Sequence, residues 1–470
     1  MAVGVLAAVV LHGCVTVGPD YQPPEPQAPA EWQAPHNSDS ANDGSALTEW
    51  WRQFEDPVLE ALVSEALTSN TDLATARASL REARAQRALT AAQLGPAVDF
   101  TGSASRSDTN YDDGTDFSNR NYSLGLDASW EADVFGGQRR GVEAADADVG
   151  ASVASLAEVR ISLAAEVALN YIDLRTAERR LAVAQANLAA QEETFQLTQW
   201  RHQAGLASEL EEAQALTSLE TTLAGLPPLE TAAVAARNRL TVLLNRNPGT
   251  LNELLGTAGQ VPRLAEDITV GIPAETLSQR PDVRTAERRL AAQTARLVQA
   301  QAARYPSLRL SGSIGLEALT LSALEPGGTR AWSLLGAITA PVFDSGRIDA
   351  AIDIEDARLE QALLAYRSAV LTALEDVENA LTSVAQTRER QVRLSRATDT
   401  ARRSLELAEY RYRVGLIDFL SVLDSQRTVQ GLEDQLASSE GELAVAHTQL
   451  FKALGGGWSS NATETSPGKS

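Results

Sequence analysis

Few residues in this chain have the type and spacing that chemistry requires. The histidines are His12, His36, His202 and His447, and the single cysteine is Cys14. No two of these histidines stand three or four residues apart, so no helix offers a paired metal site. One cysteine excludes a disulfide framework and any multi-cysteine metal centre. No phosphate-binding loop, nucleophile elbow or HExxH signature occurs. The histidines read as ordinary surface or interface residues, the chain reads as no enzyme, and no cofactor is expected.

Cys14 is the exception. Val3 to Leu11 is apolar and runs into Leu11-His12-Gly13-Cys14. A short apolar stretch before a small residue and a cysteine reads as a secretory signal, too short to span a bilayer. It is similar to a bacterial lipoprotein signal: residues 1–13 would be removed and Cys14 acylated, which anchors a chain firmly. Val15 follows, where inner-membrane retention would require Asp, so the outer membrane is the expected address. Residues 14–45 then carry Pro19, Pro23, Pro24, Pro26, Pro29 and Pro35 among polar residues and read as an extended tether. Residues 459–470 read as a disordered polar tail.

Between these ends lies a long, acidic, aromatic-poor body. Of 470 residues, 62 are acidic and 40 are Lys or Arg, for a net charge of −22, which argues against nucleic acid as a partner. Hydrophobic residues at 44% suffice for a folded core, and the Ala, Gln, Glu, Arg and Leu bias suits long helices.

The body is one unit written twice. At an offset of 210, Asn70-Thr71-Asp72-Leu73 aligns with Arg280-Pro281-Asp282-Val283, Pro96 with Pro306, Arg201 and Gly205 with Arg411 and Gly415, and Leu240 and Leu244 with Leu450 and Leu454. Each copy reads as helix, two strands, very long helix, turn and helix. The first repeat spans 46–245, a connection 246–275, and the second repeat 276–458.

Strands are expected at 97–107, 121–134, 307–318 and 331–343. In the second, Tyr122, Leu124, Leu126, Ala128, Trp130, Ala132 and Val134 alternate with Ser123, Gly125, Asp127, Ser129, Glu131 and Asp133. Alternation over about ten residues is the pattern of a membrane strand, with Tyr122, Trp130, Phe135, Trp332 and Phe343 as interfacial aromatics. The connections Asp108–Asn119, with Asp112 and Asp113, and Leu319–Arg330, with Pro326-Gly327-Gly328, read as extracellular loops. Four strands cannot close a barrel, and an open edge is not tolerated in lipid, so the chain must oligomerise; physics alone allows eight, twelve or sixteen strands.

Helices are expected at 138–204 and 347–414. At 1.5 Å per residue each reaches roughly 100 Å. Val167, Leu174, Leu181, Leu188 and Phe195 recur every seven residues, as do Val370, Val377 and Val384, which implies left-handed supercoiling. Gly205 and Gly415 suit the turns that end these helices. Ser208-Glu209-Leu210-Glu211 forms a capping box and Asp418 an N-cap for the helices that follow.

Six segments carry a family resemblance: Val17-Gly18-Pro19-Asp20-Tyr21; Trp50-Trp51 with Phe54 and Asp56-Pro57; Asn70, Asp72-Leu73 and Ala76; Arg280-Pro281-Asp282-Val283-Arg284 with Ala286-Glu287; Tyr412-Arg413-Val414-Gly415 with Phe419 to Asp424; and Lys452 to Trp458. The chain resembles the TolC-like outer-membrane factors, in particular the NodT-type lipoprotein branch serving RND-type tripartite efflux systems. The resemblance implies a homotrimer: a 12-stranded β-barrel in the outer membrane, continuous with a 12-helix coiled-coil α-barrel reaching into the periplasm. It implies a passive exit duct for drugs or other small molecules, supplied by a periplasmic adaptor and an inner-membrane RND transporter. It also implies an equatorial region near 246–275 and a periplasmic gate at Leu420 and Asp424, which share a helix face. Leu210 is the repeat equivalent of Leu420, and Arg427 stands one turn beyond Asp424, where an ion pair with it is expected. The turns at Gly205 with Arg201, and Gly415 with Arg411, are the expected adaptor contacts. Two other readings stay open: a channel for type I protein secretion, and a coiled-coil scaffold without a channel.

Overall fold

The structure, a computed structural model, describes residues 17–25, 28–35, 45–110, 114, 116–256, 259–264, 273–324 and 329–458. The signal segment, Cys14, Asp112, Asp113, Pro326-Gly327-Gly328, parts of the tether and of the 246–275 connection, and the 459–470 tail lie outside the described residues. The main elements are α1 (Pro57–Ser69), α2 (Thr71–Ala92), β1 (Ala97–Asn110), β2 (Asp116–Ala132), α3 (Gly137–Gln203), α4 (Glu209–Leu243), α5 (Pro273–Gln279), α6 (Pro281–Ala302), β3 (Ser307–Ala318), β4 (Thr329–Thr339), α7 (Arg347–Arg413) and α8 (Phe419–Ala453). The chain is mixed α and β, with one four-stranded antiparallel sheet in the order β1-β2-β3-β4.

The described residues gather into two compact units, one holding 17–25, 79–152 and 285–367 and the other the described parts of 26–78, 153–284 and 368–458, each built from both repeats. In the first, the repeats meet where β2 pairs with β3. The register places even-numbered residues opposite even-numbered ones throughout: Phe100 faces Leu126, Leu126 faces Ile314, and Ile314 faces Trp332. The period-2 alternation of single strands thus becomes one continuous apolar face.

The strand ends differ from the sequence expectation. β1 runs to Asn110 and β2 begins at Asp116, so strand pairing takes up most of the expected Asp108–Asn119 loop. Asn110 and Asp116 are still register partners, because the ladder continues wherever backbone groups find each other, whatever the side-chain polarity. β2 stops at Ala132 and β4 at Thr339, short of Val134 and Phe343. Pro341 lacks a ladder donor, and Asp133 turns the chain into α3 by accepting from the N–H groups of Gln138 and Arg139 at 3.1 and 2.9 Å.

The second unit is a helical body. Its core is centred on Trp50, stacked on Phe451 at 5.1 Å, with Leu59, Leu62, Tyr171, Ile172, Leu174 and Leu240 fully buried around it. The Trp-Trp and Asp-Pro segments of the sequence belong here. Trp50, Trp51 and Phe54 fill the core, Asp56 caps α1 through the Val58 and Leu59 N–H groups at 2.9 and 3.0 Å, and Pro57 opens the helix. The repeated Asn70 and Arg280 positions perform one task. Asn70 Nδ2 donates to the carbonyl of Leu243 at 2.9 Å, and Arg280 Nη1 to that of Ala453 at 2.8 Å, so each secures the last turn of the helix that closes its repeat.

Gly125 and Gly315 face each other where the repeats pair. A Cβ on Gly315 would stand 2.6 Å from the Leu124 carbonyl oxygen and 3.0 Å from Gly125 Cα. Both neighbours are backbone and cannot swing aside. Gly315→Val should therefore destabilise the sheet by about 1–3 kcal/mol, the usual cost of overpacking. Heat-dependent gel migration of the folded protein should shift to a lower temperature, while α3 and α7 keep their far-UV helical signal.

Candidate functional site

The two faces of the sheet have opposite chemistry. The even face carries Val98, Phe100, Leu124, Leu126, Trp130, Leu308, Leu310, Ile314, Trp332, Leu334 and Ile338, and much of it stands open, with Phe100 72% and Trp332 78% exposed. The odd face is mainly polar, Leu335 being a large apolar exception, and several of its polar groups bond across strands. Thr101 Oγ1 donates to Asp127 at 2.6 Å, and Ser103 meets Ser123 and Ser313 meets Ser333 at 2.8 Å. An apolar face of this extent has no place in water, and a mainly polar face suits a wetted wall. Tyr122 and Trp130 share the even face of β2 eight residues apart, about 27 Å along the strand, close to the height of an apolar band.

The turns ending α3 and α7 are copies of each other. Gly205 (φ +71°) and Gly415 (φ +76°) occupy the left-handed region. Leu206 N–H reaches the Arg201 carbonyl at 2.8 Å and Gly205 N–H that of His202 at 2.9 Å; Leu416 and Gly415 repeat this with Arg411 and Tyr412 at 2.9 and 3.0 Å. This is the Schellman pattern. α4 then starts with the reciprocal Ser208–Glu211 capping box, and α8 with Asp418 accepting from Ser421 N–H at 3.0 Å. The bonds from Ser421 hold the Asp418 carboxyl below its usual range.

The structure brings the two turns together. Arg201 lies over the Tyr412 ring at 4.7 Å, Tyr412 packs on Phe419 at 5.5 Å, and Phe419 and Leu423 bury against Ala215. Arg411 stays exposed. Burying Phe419 and Leu423 leaves Leu420, Asp424 and Arg427 on the opposite, exposed side of α8, and Leu210 is 66% exposed on α4. The expected Asp424–Arg427 ion pair is not formed among the described residues. Three residues apart, both side chains point into open solvent, where an exposed pair gains too little to repay its side-chain entropy.

Sequence reasoning missed two contacts. His202, read as an ordinary histidine, bonds Glu212 across the turn through Nδ1, and this bond holds the Glu212 carboxyl below its usual range. The Val17–Tyr21 segment is a strap. Val17 N–H donates to the Phe135 carbonyl at 3.3 Å, Asp20 pairs with Arg140 at 3.0 Å, and Tyr21 Oη donates to Glu287 at 2.9 Å. The histidine pair was findable from the capping box, which sets the length of the turn. The strap partners, more than a hundred residues away, carried no local signal.

A sheet with one apolar and one polar face, joined to paired 67-residue helices, defines an outer-membrane channel fold. The outer membrane efflux protein family matches this chain twice, at residues 62–246 and 272–456, two stretches offset by 210 residues like the internal repeat. The chain belongs to this family. It is 33% identical over 454 residues to nodulation protein T of Rhizobium leguminosarum bv. trifolii, covering 96% of each chain. It is 32% identical over 463 residues to outer membrane protein OprJ of Pseudomonas aeruginosa, covering 96% of this chain and 95% of that one. Among solved structures, the outer-membrane channel OprN superposes with a TM-score of 0.89 at 36% identity, covering 94% of this chain and 99% of that one. The open state of the Neisseria gonorrhoeae MtrE outer membrane channel gives 0.84 at 31% identity, covering 94% and 98%. The protein is therefore an outer-membrane efflux channel protein of the α-plus-β channel fold, and its relatives are channels rather than enzymes.

Proposed function

We infer that this chain forms the exit duct of a tripartite efflux pump: a homotrimer that passively conducts drugs or other small molecules outward, fed by an inner-membrane RND transporter through a periplasmic adaptor. The observation carrying this reading is the sheet, whose apolar face runs across all four strands and whose β1 and β4 each have one neighbour among the described residues. Three copies of a four-stranded sheet supply the twelve strands of a closed barrel. The even face then meets lipid and the odd face lines an aqueous pore. Type I protein secretion would use the same wall. The names of two Pseudomonas putida relatives, an antibiotic efflux pump outer membrane protein and a toluene efflux pump outer membrane protein, favour small-molecule efflux. A scaffold without a channel leaves the apolar face unexplained.

Cys14 would add an acyl anchor, supported by the apolar segment preceding it. Labelling with radioactive palmitate should disappear in Cys14→Ser; persistence of the label would remove the assignment.

The turns around Gly205 and Gly415 are the proposed adaptor contacts. A Cβ on either glycine meets nothing within 4 Å, so a side chain there has room, although it must hold a left-handed backbone. Gly205→Asp and Gly415→Asp should weaken cross-linking to the adaptor and lower efflux. Gly→Asn, which tolerates a left-handed backbone, separates backbone strain from added charge.

Leu420 and Asp424 are the proposed gate, with Leu210 doubling the apolar ring. Three Asp424 carboxylates near one axis would favour hydrated cations. In a strain lacking its own duct, the wild-type gene should restore drug resistance. Leu420→Ala with Asp424→Ala should raise single-channel conductance in planar bilayers and sensitise cells to vancomycin. Unchanged conductance and cation preference would move the gate elsewhere, and failure of the wild-type gene to restore resistance would remove the pump reading.

A further inference from the structure

β1 and β4 are the edges of the sheet, and each carries a row of backbone groups with no neighbouring strand among the described residues. The two edges fit each other. An antiparallel strand bonds one neighbour through alternate residues and the other neighbour through the residues between. All three ladders match even residues with even and odd with odd, Phe100 with Leu126, Leu126 with Ile314 and Ile314 with Trp332. Carried across four strands, this leaves the outward groups of β1 and of β4 on residues of the same parity. β4 of one copy can therefore bond antiparallel to β1 of the next without a bulge. A slip of one residue would turn apolar side chains to the polar side, so only registers two residues apart compete.

Strand tilt and charge decide among them. Following partners from Phe100 through Leu126 and Ile314 to Trp332 crosses one chain. The residue that Trp332 meets on the next β1 sets how far the circuit climbs, and so the tilt. For twelve strands, the tilt is about 20° if Trp332 meets Gly102, about 35° for Ala104, about 45° for Arg106 and about 55° for Asp108. Membrane barrels lie at about 35–45°, which leaves Ala104 and Arg106. Meeting Ala104 would set Arg330 beside Arg106, which already has Arg120 opposite it on β2, making three guanidiniums in one row. Meeting Arg106 lays Trp332 against a guanidinium and sets Arg330 opposite Asp108. Asp108 is already 2.9 Å from Arg106, so it then has a cation on each side. In the same register the largely exposed Ile338 and Phe100 cover each other. Gly336 meets Gly102, two positions over which Leu310 and Leu124 of their own chain already lean, 3.4 and 3.1 Å from where a Cβ would stand.

We propose that β4 of one copy pairs with β1 of the next in this single register, with Ile338 opposite Phe100, Trp332 opposite Arg106 and Arg330 opposite Asp108. The partner of both edges is a second copy of this chain, and the register sets the tilt and bore of the barrel. The inference rests on the homotrimer reading and adds to it which residues meet.

The test is cysteine cross-linking of the full chain in membranes, between positions on the polar face, where an aqueous oxidant reaches them. Directly opposite Cβ atoms lie about 5 Å apart, close enough for a disulfide, whereas an offset of two residues puts them about 7–8 Å apart. Ser333→Cys with Ser105→Cys should give covalent dimers and trimers on a denaturing gel, several-fold more than Ser333→Cys with Ser103→Cys or with Ser107→Cys. Leu335→Cys with Ser103→Cys is a second pair in register and should exceed Leu335→Cys with Thr101→Cys or with Ser105→Cys by a similar factor. Single-cysteine variants at each position account for Cys14. The highest yield at an offset position in either set overturns the proposal. So does equal yield across a set, or the absence of intermolecular cross-links while native mass spectrometry shows a trimer. A monomer by native mass spectrometry removes the trimer reading itself, and the register with it. Should the Ser333 variants fail to assemble, the Leu335 set decides.

Discussion

The backbone at the two edges of the sheet is the constraint on which the rest depends. β1 and β4 each pair on one side only, so a row of N–H and C=O groups on each faces nothing within the described chain. In water such edges are tolerable. In hydrocarbon every unpaired group costs several kcal/mol, and a single four-stranded sheet cannot curl far enough to pair its own edges. The apolar face forbids the aqueous alternative: Leu334 and Ile338 on edge strand β4 are largely exposed along with Phe100 on edge strand β1. On the proposed reading, a chain that can leave neither its edges in lipid nor its face in water meets copies of itself, and four strands per chain set how many copies close the barrel.

Duplication supplied this architecture cheaply, but the copies solve one problem with different chemistry. Asn70 holds the last turn of α4 while its Oδ1 caps α2 through the Asp72 and Leu73 N–H groups at 2.8 and 3.0 Å. Arg280 reaches the matching carbonyl of α8 as a buried cation. It therefore requires Asp282 at 2.7 Å and Asp376 at 2.9 Å, because a guanidinium removed from water without anions would be destabilising. Pro281 opens α6, where the first repeat has Thr71.

What could be read from the sequence follows from which interactions are local. Strand alternation, the turn glycines and the caps at Ser208 and Asp418 depend on residues within a few positions of one another, and all were legible. Strand ends were less so, since Asn110 and Asp116 pair through backbone groups that side-chain patterning does not report. The strap around Tyr21 and the Arg201–Tyr412 stack depend on contacts far away in sequence. α4 runs the other way. It continues through Pro227 and Pro228, although each proline removes a helix donor at about 3 kcal/mol in an isolated helix. The helix persists all the same, with Ala233, Ala236 and Leu240 beyond the prolines buried in the Trp50 core.

The seven-residue pattern of α3 shows where patterning runs out. Val167 and Leu174 are fully buried, but Leu181, Leu188 and Phe195 are only half-buried. Further along, Gln191 and Thr198 take the buried positions, joined by Ser218, Thr398 and Gln426 from the other helices. A buried Leu or Val contributes about 1.5–3 kcal/mol, whereas a buried amide contributes only if bonded. Gln426 donates to Thr194 at 3.1 Å, but neither polar side-chain atom of Gln191 has a partner among the described residues. Apolar burial thus thins toward the turns, where each turn is held by local bonds, a Schellman motif and an N-cap, and the two turns are joined by the Arg201–Tyr412–Phe419 stack.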